Sequence, residues 1–256
     1  MIRINIKSVG LAEERAKRTL LRNLAFSLSD GNIYTVLGKN GEGKSTLLKA
    51  VTNLLDKNVF FTTGFVEFEG VDLLALPHLQ LTEYRKAKIQ YVFQDSVNSF
   101  DPLKKIGDYF KLYPFDELEV ENEFEFFKLS EPAKIFELYP YEVSGGMAQR
   151  ISIILALLKK PKFLLLDEPT SGIDNDTVTL IKERLKKFIL KEKSIVLIIT
   201  QDLSFAENIT DFIAYLENGN LSEFVTYPQF LNDKAESIKN FLQAHKQLNV
   251  ESFSRR

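Results

Sequence analysis

The octet Gly38-Lys39-Asn40-Gly41-Glu42-Gly43-Lys44-Ser45 matches the phosphate-loop pattern G-x-x-x-x-G-K-[ST] and constrains this chain more than any other segment. An apolar run of strand length, Ile33–Leu37, enters it, and a helix-forming segment, Ser45–Leu55, leaves it with Leu47, Leu48, Val51 and Leu55 at helical spacing. A glycine-rich turn with an incidental lysine would explain the octet but not its flanks. Glycine at 38, 41 and 43 lets backbone N–H groups curl around phosphate oxygens where a Cβ would obstruct them. The helix start adds the positive end of its dipole, Lys44 adds a formal charge, and the Ser45 hydroxyl is placed to meet Mg²⁺.

A second run, Phe163-Leu-Leu-Leu-Asp167-Glu168, reads as a strand buried on both faces and ending in two carboxylates. Ligands of α/β sheets gather at the carboxyl ends of strands, so Asp167 is placed to hold Mg²⁺ and Glu168 to orient or deprotonate an attacking water. Further strands are predicted at Ile2–Ile6, Leu24–Leu28, Gly64–Glu69, Ile89–Phe93, Ile195–Ile199 and Phe212–Leu216, with a turn at Gly219 into Leu221–Val225. An amphipathic helix is predicted over Asp174–Lys191. Strands alternating with helices indicate an α/β core with a mainly parallel sheet. Between Phe100 and Lys160, prolines 102, 114, 132 and 140 punctuate helix-like segments. The acidic stretch Asp116–Glu125 and the basic residues Lys182, Arg184, Lys186, Lys187 and Lys191 read as solvated helix faces.

Composition removes several alternatives. Cys is absent, which excludes disulfides, zinc–thiolate sites and Cys-ligated iron–sulfur clusters. His78 and His245 are the two histidines, too few for a histidine metal centre or a Ser-His-Asp triad. With 33 Lys+Arg against 35 Asp+Glu, the formal charge of −2 argues against a general basic surface for nucleic acid. Apolar runs such as Ile151–Leu158 fall short of the ~20 residues that span a bilayer. The expectation is a soluble, cytoplasmic chain that meets a membrane through a partner.

The segment Val143-Ser144-Gly145-Gly146-Met147-Ala-Gln-Arg150, shortly before the Asp-Glu strand, and Gln94 after the Ile89–Phe93 strand decide which nucleotide triphosphatase this is. With them the chain resembles the ATP-binding subunit of an ABC transporter, from about Ile2 to Val225. Tyr91-Val-Phe-Gln-Asp-Ser-Val-Asn-Ser-Phe-Asp-Pro102 and Tyr139-Pro-Tyr-Glu-Val-Ser-Gly-Gly-Met-Ala-Gln-Arg150 resemble the dipeptide, oligopeptide and nickel importer branch. The resemblance implies a P-loop ATPase core with a small antiparallel β region and an inserted helical subdomain. On it, residues 1–99 and 161–232 form the nucleotide-binding core, 100–160 the helical subdomain, and 233–256 a C-terminal helix and tail. It implies ATP and Mg²⁺ as cofactors. Gly38, Asn40, Gly41, Gly43, Lys44, Ser45 and Thr46 then hold the nucleotide, and Ser45, Gln94 and Asp167 hold the metal. Ser144, Gly145 and Gly146 contact the γ-phosphate of ATP on an opposing subunit, and Asp174 lies in the loop crossing the dimer interface. Glu168, Gln94 and residue 201 form the catalytic set.

Two positions depart from the pattern. Thr200-Gln201-Asp202 stands where the family carries Thr-His-Asp, so Gln201 replaces a group that contacts the γ-phosphate. Gln201 still donates through its amide but carries no titratable proton. The expectation is a slow site whose Ser144–Gly146 segment completes a partner's competent one. The family's base-stacking aromatic is also missing upstream of the P-loop, where Leu11, Arg15 and Arg18 are the substitutes. The implied partners are a second, different ATPase subunit, two transmembrane permease subunits and, indirectly, an extracytoplasmic solute-binding protein, with no nucleic acid. They place the chain on the cytoplasmic face of the membrane. A largely non-catalytic nucleotide-binding subunit and a nucleic-acid-associated ABC ATPase are the competing readings. The aromatic stretch Tyr109–Phe127 is read either as docking surface or as subdomain core.

Overall fold

A computed structural model describes residues 1–12 and 17–254. Arg15 lies outside the described residues. Two compact units divide the chain, 1–77 with 199–256 and 78–198. The first opens with β1 (Ile2–Ala12), β2 (Lys17–Leu28), β3 (Asn32–Leu37), α1 (Lys44–Val51), β4 (Phe60–Phe68) and β5 (Val71–Asp72). The second holds α2 (His78–Lys88), β6 (Ile89–Val92), α3 (Ile106–Lys111), α4 (Glu117–Phe126), α5 (Pro132–Phe136), α6 (Gly145–Leu158), β7 (Phe163–Asp167) and α7 (Asn175–Glu192). Strand β8 (Ile195–Thr200) carries the chain back into the first unit. There α8 (Leu203–Ala206), β9 (Phe212–Glu217), β10 (Asn220–Leu221), α9 (Tyr227–Leu231) and α10 (Glu236–Ser254) follow.

In the first unit, β2, β1, β4 and β5 form an antiparallel sheet in that order. Ile2, Ile4 and Ile6 are buried while Arg3 and Asn5 face solvent, the period-2 pattern of a half-buried strand. The strand continues past the predicted end at Ile6 because the pairing with β4 shifts between Ile6 and Ser8. That irregularity breaks the alternation without ending the strand. Strands β3 and β9 pair in parallel, from Tyr34 opposite Phe212 to Leu37 opposite Tyr215. Asn218 (φ 49°) and Gly219 (φ 76°) then turn the chain into β10. A Cβ on Gly219 would lie 2.3 Å from the Leu20 carbonyl oxygen, so glycine is required there by space as well as by φ. The predicted strand Leu221–Val225 is shorter than expected, Val225 contributing a single bridge to Ile213. Leu37, Leu203, Ile213, Tyr215, Phe230, Ile238 and Phe241 pack as one core under α10.

Helix α1 stops four residues before the predicted end at Leu55. Thr52 donates its hydroxyl back to the Leu48 carbonyl at 2.9 Å. Asn53 then adopts a left-handed conformation (φ 54°) and ties its amide to the Leu73 carbonyl at 2.8 Å.

In the second unit, β6 and β7 pair in parallel with Ile89 opposite Phe163 and Val92 opposite Leu166. Phe163 to Leu166 are fully buried, as the uninterrupted apolar run predicts. Ser144 and Asp174 begin α6 and α7 as N-caps, their side chains accepting from the N–H groups of Met147 and Thr177. Phe110, Phe124 and Phe127 are buried, and the Phe110 and Phe124 rings lie 5.4 Å apart. These rings are subdomain core rather than docking surface.

Two charges read as solvated are not. Glu123 of α4 is buried and grips Arg184 of α7, the guanidinium Nε donating to both carboxylate oxygens at 3.0 and 2.8 Å and Nη2 donating again to Oε1. Helical periodicity places each residue on its helix but says nothing of a partner 61 positions away. Removing one member leaves the other buried without its counter-charge. Arg184→Ala is therefore expected to destabilise the protein by about 3 kcal/mol in urea unfolding. Lys186→Ala, on the exposed side of the same helix, should change stability by less than about 0.5 kcal/mol.

Candidate functional site

The phosphate loop begins where β3 ends. Gly38 is buried, and a Cβ there would lie 2.7 Å from the Leu216 carbonyl oxygen of β9. Gly41 (φ 87°) and Gly43 (φ 93°) take left-handed conformations that other residues adopt only with strain. Around this curl the Lys44 side chain turns inward. Its Nζ donates to the carbonyls of Gly38 at 2.9 Å and Lys39 at 3.1 Å, and the residue is 6% exposed. The loop is held closed by its own lysine, with the ammonium placed at its centre. Above Gly41 no atom lies within 4 Å of a Cβ position, and Asn40 and Gly41 are exposed. Gly43 caps α1 without a side chain to give, so the helix start suits an incoming anion. Ser45 and Thr46 sit half-buried in its first turn. On the outer side, the Glu42 carboxylate accepts from the Asn218 N–H at 2.5 Å, which ties the loop to the β9–β10 turn.

Gln201 belongs to this unit and is exposed at the end of β8. Its neighbours fix the backbone on either side: the Asp202 N–H donates to the Thr200 hydroxyl at 3.0 Å, and the Asp202 carboxylate caps α8 through the Phe205 N–H at 3.1 Å. Leu11 and Arg18 lie on β1 and β2, Arg18 exposed.

The second unit carries the other predicted residues. Asp167 ends β7 at 4% exposure, and Glu168 follows at 7%. Glu168 has φ 45°, a left-handed conformation costly for a residue with a Cβ. The Ser171 N–H donates to the Glu168 carbonyl at 3.1 Å, which closes the turn behind it. On the adjacent strand, the Tyr91 hydroxyl donates to Asp167 Oδ2 at 2.8 Å. Burial, and then the Asp167 charge, push the Tyr91 phenol far up, so it remains a donor. Gln94 is exposed two residues past β6. In the same loop, Ser96 donates its hydroxyl to Gln149 Oε1 of α6, both residues being 4% exposed.

Ser144 caps α6 by accepting from the Met147 N–H at 3.2 Å. A Cβ on Gly145 would meet nothing within 4 Å, and one on Gly146 would meet only Ile173 at 3.9 Å. Nothing in the described residues therefore demands glycine at either place, although glycine in a helix costs about 1 kcal/mol relative to alanine. Asp174 caps α7, accepting from the Thr177 N–H at 2.8 Å and hydroxyl at 2.9 Å.

The predicted residues thus divide between the two units: Gly38–Thr46 with Gln201 in the first, and Gln94, Ser144–Gly146, Asp167, Glu168 and Asp174 in the second. Among the described residues no three His, Cys, Asp or Glu side chains cluster as a metal cage. Asp167 offers a single buried carboxylate, which suits Mg²⁺ that arrives with phosphates among its other ligands. The residues missed in the sequence are Tyr91, Ser96, Gln149 and Glu42 as supports. Their partners depend on strand register and loop path, which composition and spacing do not carry.

Residues 21–171 match the family described as ABC transporter. The chain is 31% identical over 230 residues to the oligopeptide transport ATP-binding protein AmiE of Streptococcus pneumoniae, covering 84% of this chain but 63% of that protein. It is 29% identical over 255 residues to the metal-staphylopine import system ATP-binding protein CntD of Staphylococcus aureus, covering 96% and 94% of the two chains. The solved dimeric structure of a bacterial ABC transporter cassette matches with a TM-score of 0.76 at 24% identity, covering 88% of this chain and 98% of that one. At that identity the likeness establishes the fold.

The Asp174 cap carries a pH signature. Hydrogen bonds from the Thr177 backbone and hydroxyl, and more weakly the Arg150 charge, hold its carboxyl below the usual range. A depressed folded-state pKa contributes stability above the unfolded value of about 3.9, lost as pH falls through the folded value. Asp174→Ala is thus expected to lower Tm at pH 7, with the gap to wild type narrowing below about pH 4 in thermal melts across pH.

Proposed function

The chain belongs to the ABC transporter family, and on that footing we propose that it is the ATP-binding subunit of an importer for a peptide, opine or metal-chelate solute. The observation that carries the reading is the closed phosphate loop, with the Lys44 ammonium seated on the Gly38 and Lys39 carbonyls and open space above Gly41. Phosphate oxygens entering that space would meet the loop N–H groups and the ammonium together. Asn40 and Thr46 complete the nucleotide contacts.

The loop and the Asp167–Glu168 pair are taken to act on one nucleotide. Ser45, Gln94 and Asp167 would hold Mg²⁺, which when bound neutralises developing phosphate charge. Glu168 orients the attacking water and accepts its proton. Gln201 donates a hydrogen bond where the family has histidine, and the change is expected to slow hydrolysis by about 10²–10⁴. In this reading residues 1–99 with 161–232 act as nucleotide core, 100–160 as the helical subdomain and 233–256 as a C-terminal appendage.

A second ATPase subunit is part of the proposal. Glycine at 145 and 146, at a helix start with open space around both, is supported by no contact within the described residues and suits a close approach from outside. Ser144, Gly145 and Gly146 would meet the γ-phosphate held by the opposing subunit, with Asp174 near the dimer boundary. Because this chain's own site is slow, the partner is a different ATPase subunit with a competent site. Two permease subunits would anchor the pair at the cytoplasmic face of the membrane, and a solute-binding protein would deliver the cargo to them. No helix among the described residues is long and apolar enough to cross a membrane. A second reading, a nucleotide-binding subunit with little turnover, is favoured by Gln201 itself.

Lys44→Ala should weaken ATP binding at least about tenfold in equilibrium titration. In the assembled transporter, Gln201→His is expected to raise turnover. A large loss on Glu168→Gln with no gain on Gln201→His would refute the slow site and leave an ordinary active one.

A further inference from the structure

The bond between Tyr91 and Asp167 follows from the sheet. Strands β6 and β7 run parallel with Tyr91 opposite Leu165. Leu165 and Asp167 share a face of β7, so Tyr91 stands on the same side of the sheet as Asp167, two residues behind it. That offset is about 6.6 Å along the strand, close to the reach of a tyrosine from Cα to hydroxyl. Tyr91 spans it and donates to Asp167 Oδ2 at 2.8 Å. The Phe93 ring stacks on the Tyr91 ring, centroids 4.3 Å apart and planes 26° from parallel, which limits the ring's swing. Asp167 itself is 4% exposed.

We infer that Tyr91 is a positioning residue for the metal carboxylate: its hydroxyl occupies Oδ2 and sets the plane in which Asp167 presents its other oxygen to Mg²⁺. The inference rests on the reading of Asp167 as a Mg²⁺ ligand. The χ2 torsion of an aspartate is broad, and a hydrogen bond to one carboxylate oxygen narrows it. Tyrosine supplies such a bond from the neighbouring strand, and an aliphatic residue opposite Leu165 would lack it. The hydroxyl is a neutral donor, so it orients the carboxylate without cancelling the charge that attracts the cation.

The test uses the full chain, a non-hydrolysable ATP analogue and Mn²⁺ as a paramagnetic stand-in for Mg²⁺. Tyr91→Phe keeps the ring and its stack on Phe93 and deletes the hydroxyl. Mn²⁺ affinity in the presence of the analogue, read by electron paramagnetic resonance, should fall about 10- to 100-fold. Affinity for the analogue in EDTA should stay within about twofold of wild type, a split that a general structural defect would not produce. Asp167→Asn runs alongside. If Asp167→Asn leaves Mn²⁺ affinity unmoved, the assignment of Asp167 fails and the inference fails with it. If Asp167→Asn weakens Mn²⁺ binding and Tyr91→Phe does not, Asp167 stands and the role of Tyr91 is overturned. Equal losses with and without metal in Tyr91→Phe would also overturn it, marking the hydroxyl as structural support.

Discussion

A buried ammonium governs the nucleotide loop. Lys44 is 6% exposed, and the Gly38 and Lys39 carbonyls that accept from it help make a charge there tolerable. That requirement bends the backbone into a curl, the curl needs positive φ at Gly41 and Gly43, and the exit from the curl starts α1. The surrounding first unit answers to the same need. The Leu216 carbonyl closes against Gly38, and the Asn218 N–H holds the Glu42 carboxylate. A loop that would otherwise be the softest part of an α/β unit is thereby fixed from inside by a lysine and from outside by a β-turn.

The second unit solves a related problem with different means. Its carboxylates are as buried as Lys44, Asp167 slightly more so and Glu168 slightly less. Asp167 is supported by a phenol on the next strand, and the helical segment above is joined to α7 by the Glu123–Arg184 pair. The Ser96–Gln149 bond runs between the loop that carries Gln94 and the helix that begins at Ser144. These are polar contacts inside otherwise apolar packing, and each fixes an orientation that shape alone would leave open.

Much of this was legible in the sequence wherever one residue's chemistry is set by its immediate neighbours. The phosphate loop could be read to the residue, because glycine, lysine and serine at fixed spacing serve a local geometry. Ser144 and Asp174 could be placed at helix starts for the same reason. The buried run Phe163–Leu166 announced itself by having no polar face. Legibility failed where pairing decides. The shift between Ile6 and Ser8 hid the second half of β1, since a bulge reverses the parity on which a strand is recognised. Asn53 ended α1 although Leu55 continues the helical spacing. Glu123 and Arg184 looked like ordinary surface, and Tyr91 looked like part of a hydrophobic strand. The Glu123–Arg184 and Tyr91–Asp167 contacts each join residues more than 60 positions apart, and no local pattern encodes them.

The left-handed backbone at Glu168 has a consequence for how this position can change over time. At φ 45° a glycine or asparagine would sit with less strain than glutamate, so selection for folding stability alone would drift away from a carboxylate here. Glutamate at 168 is therefore a residue that the local backbone does not favour. A copy of this chain released from hydrolysis, for instance one paired permanently with a competent subunit, would have every physical reason to lose it.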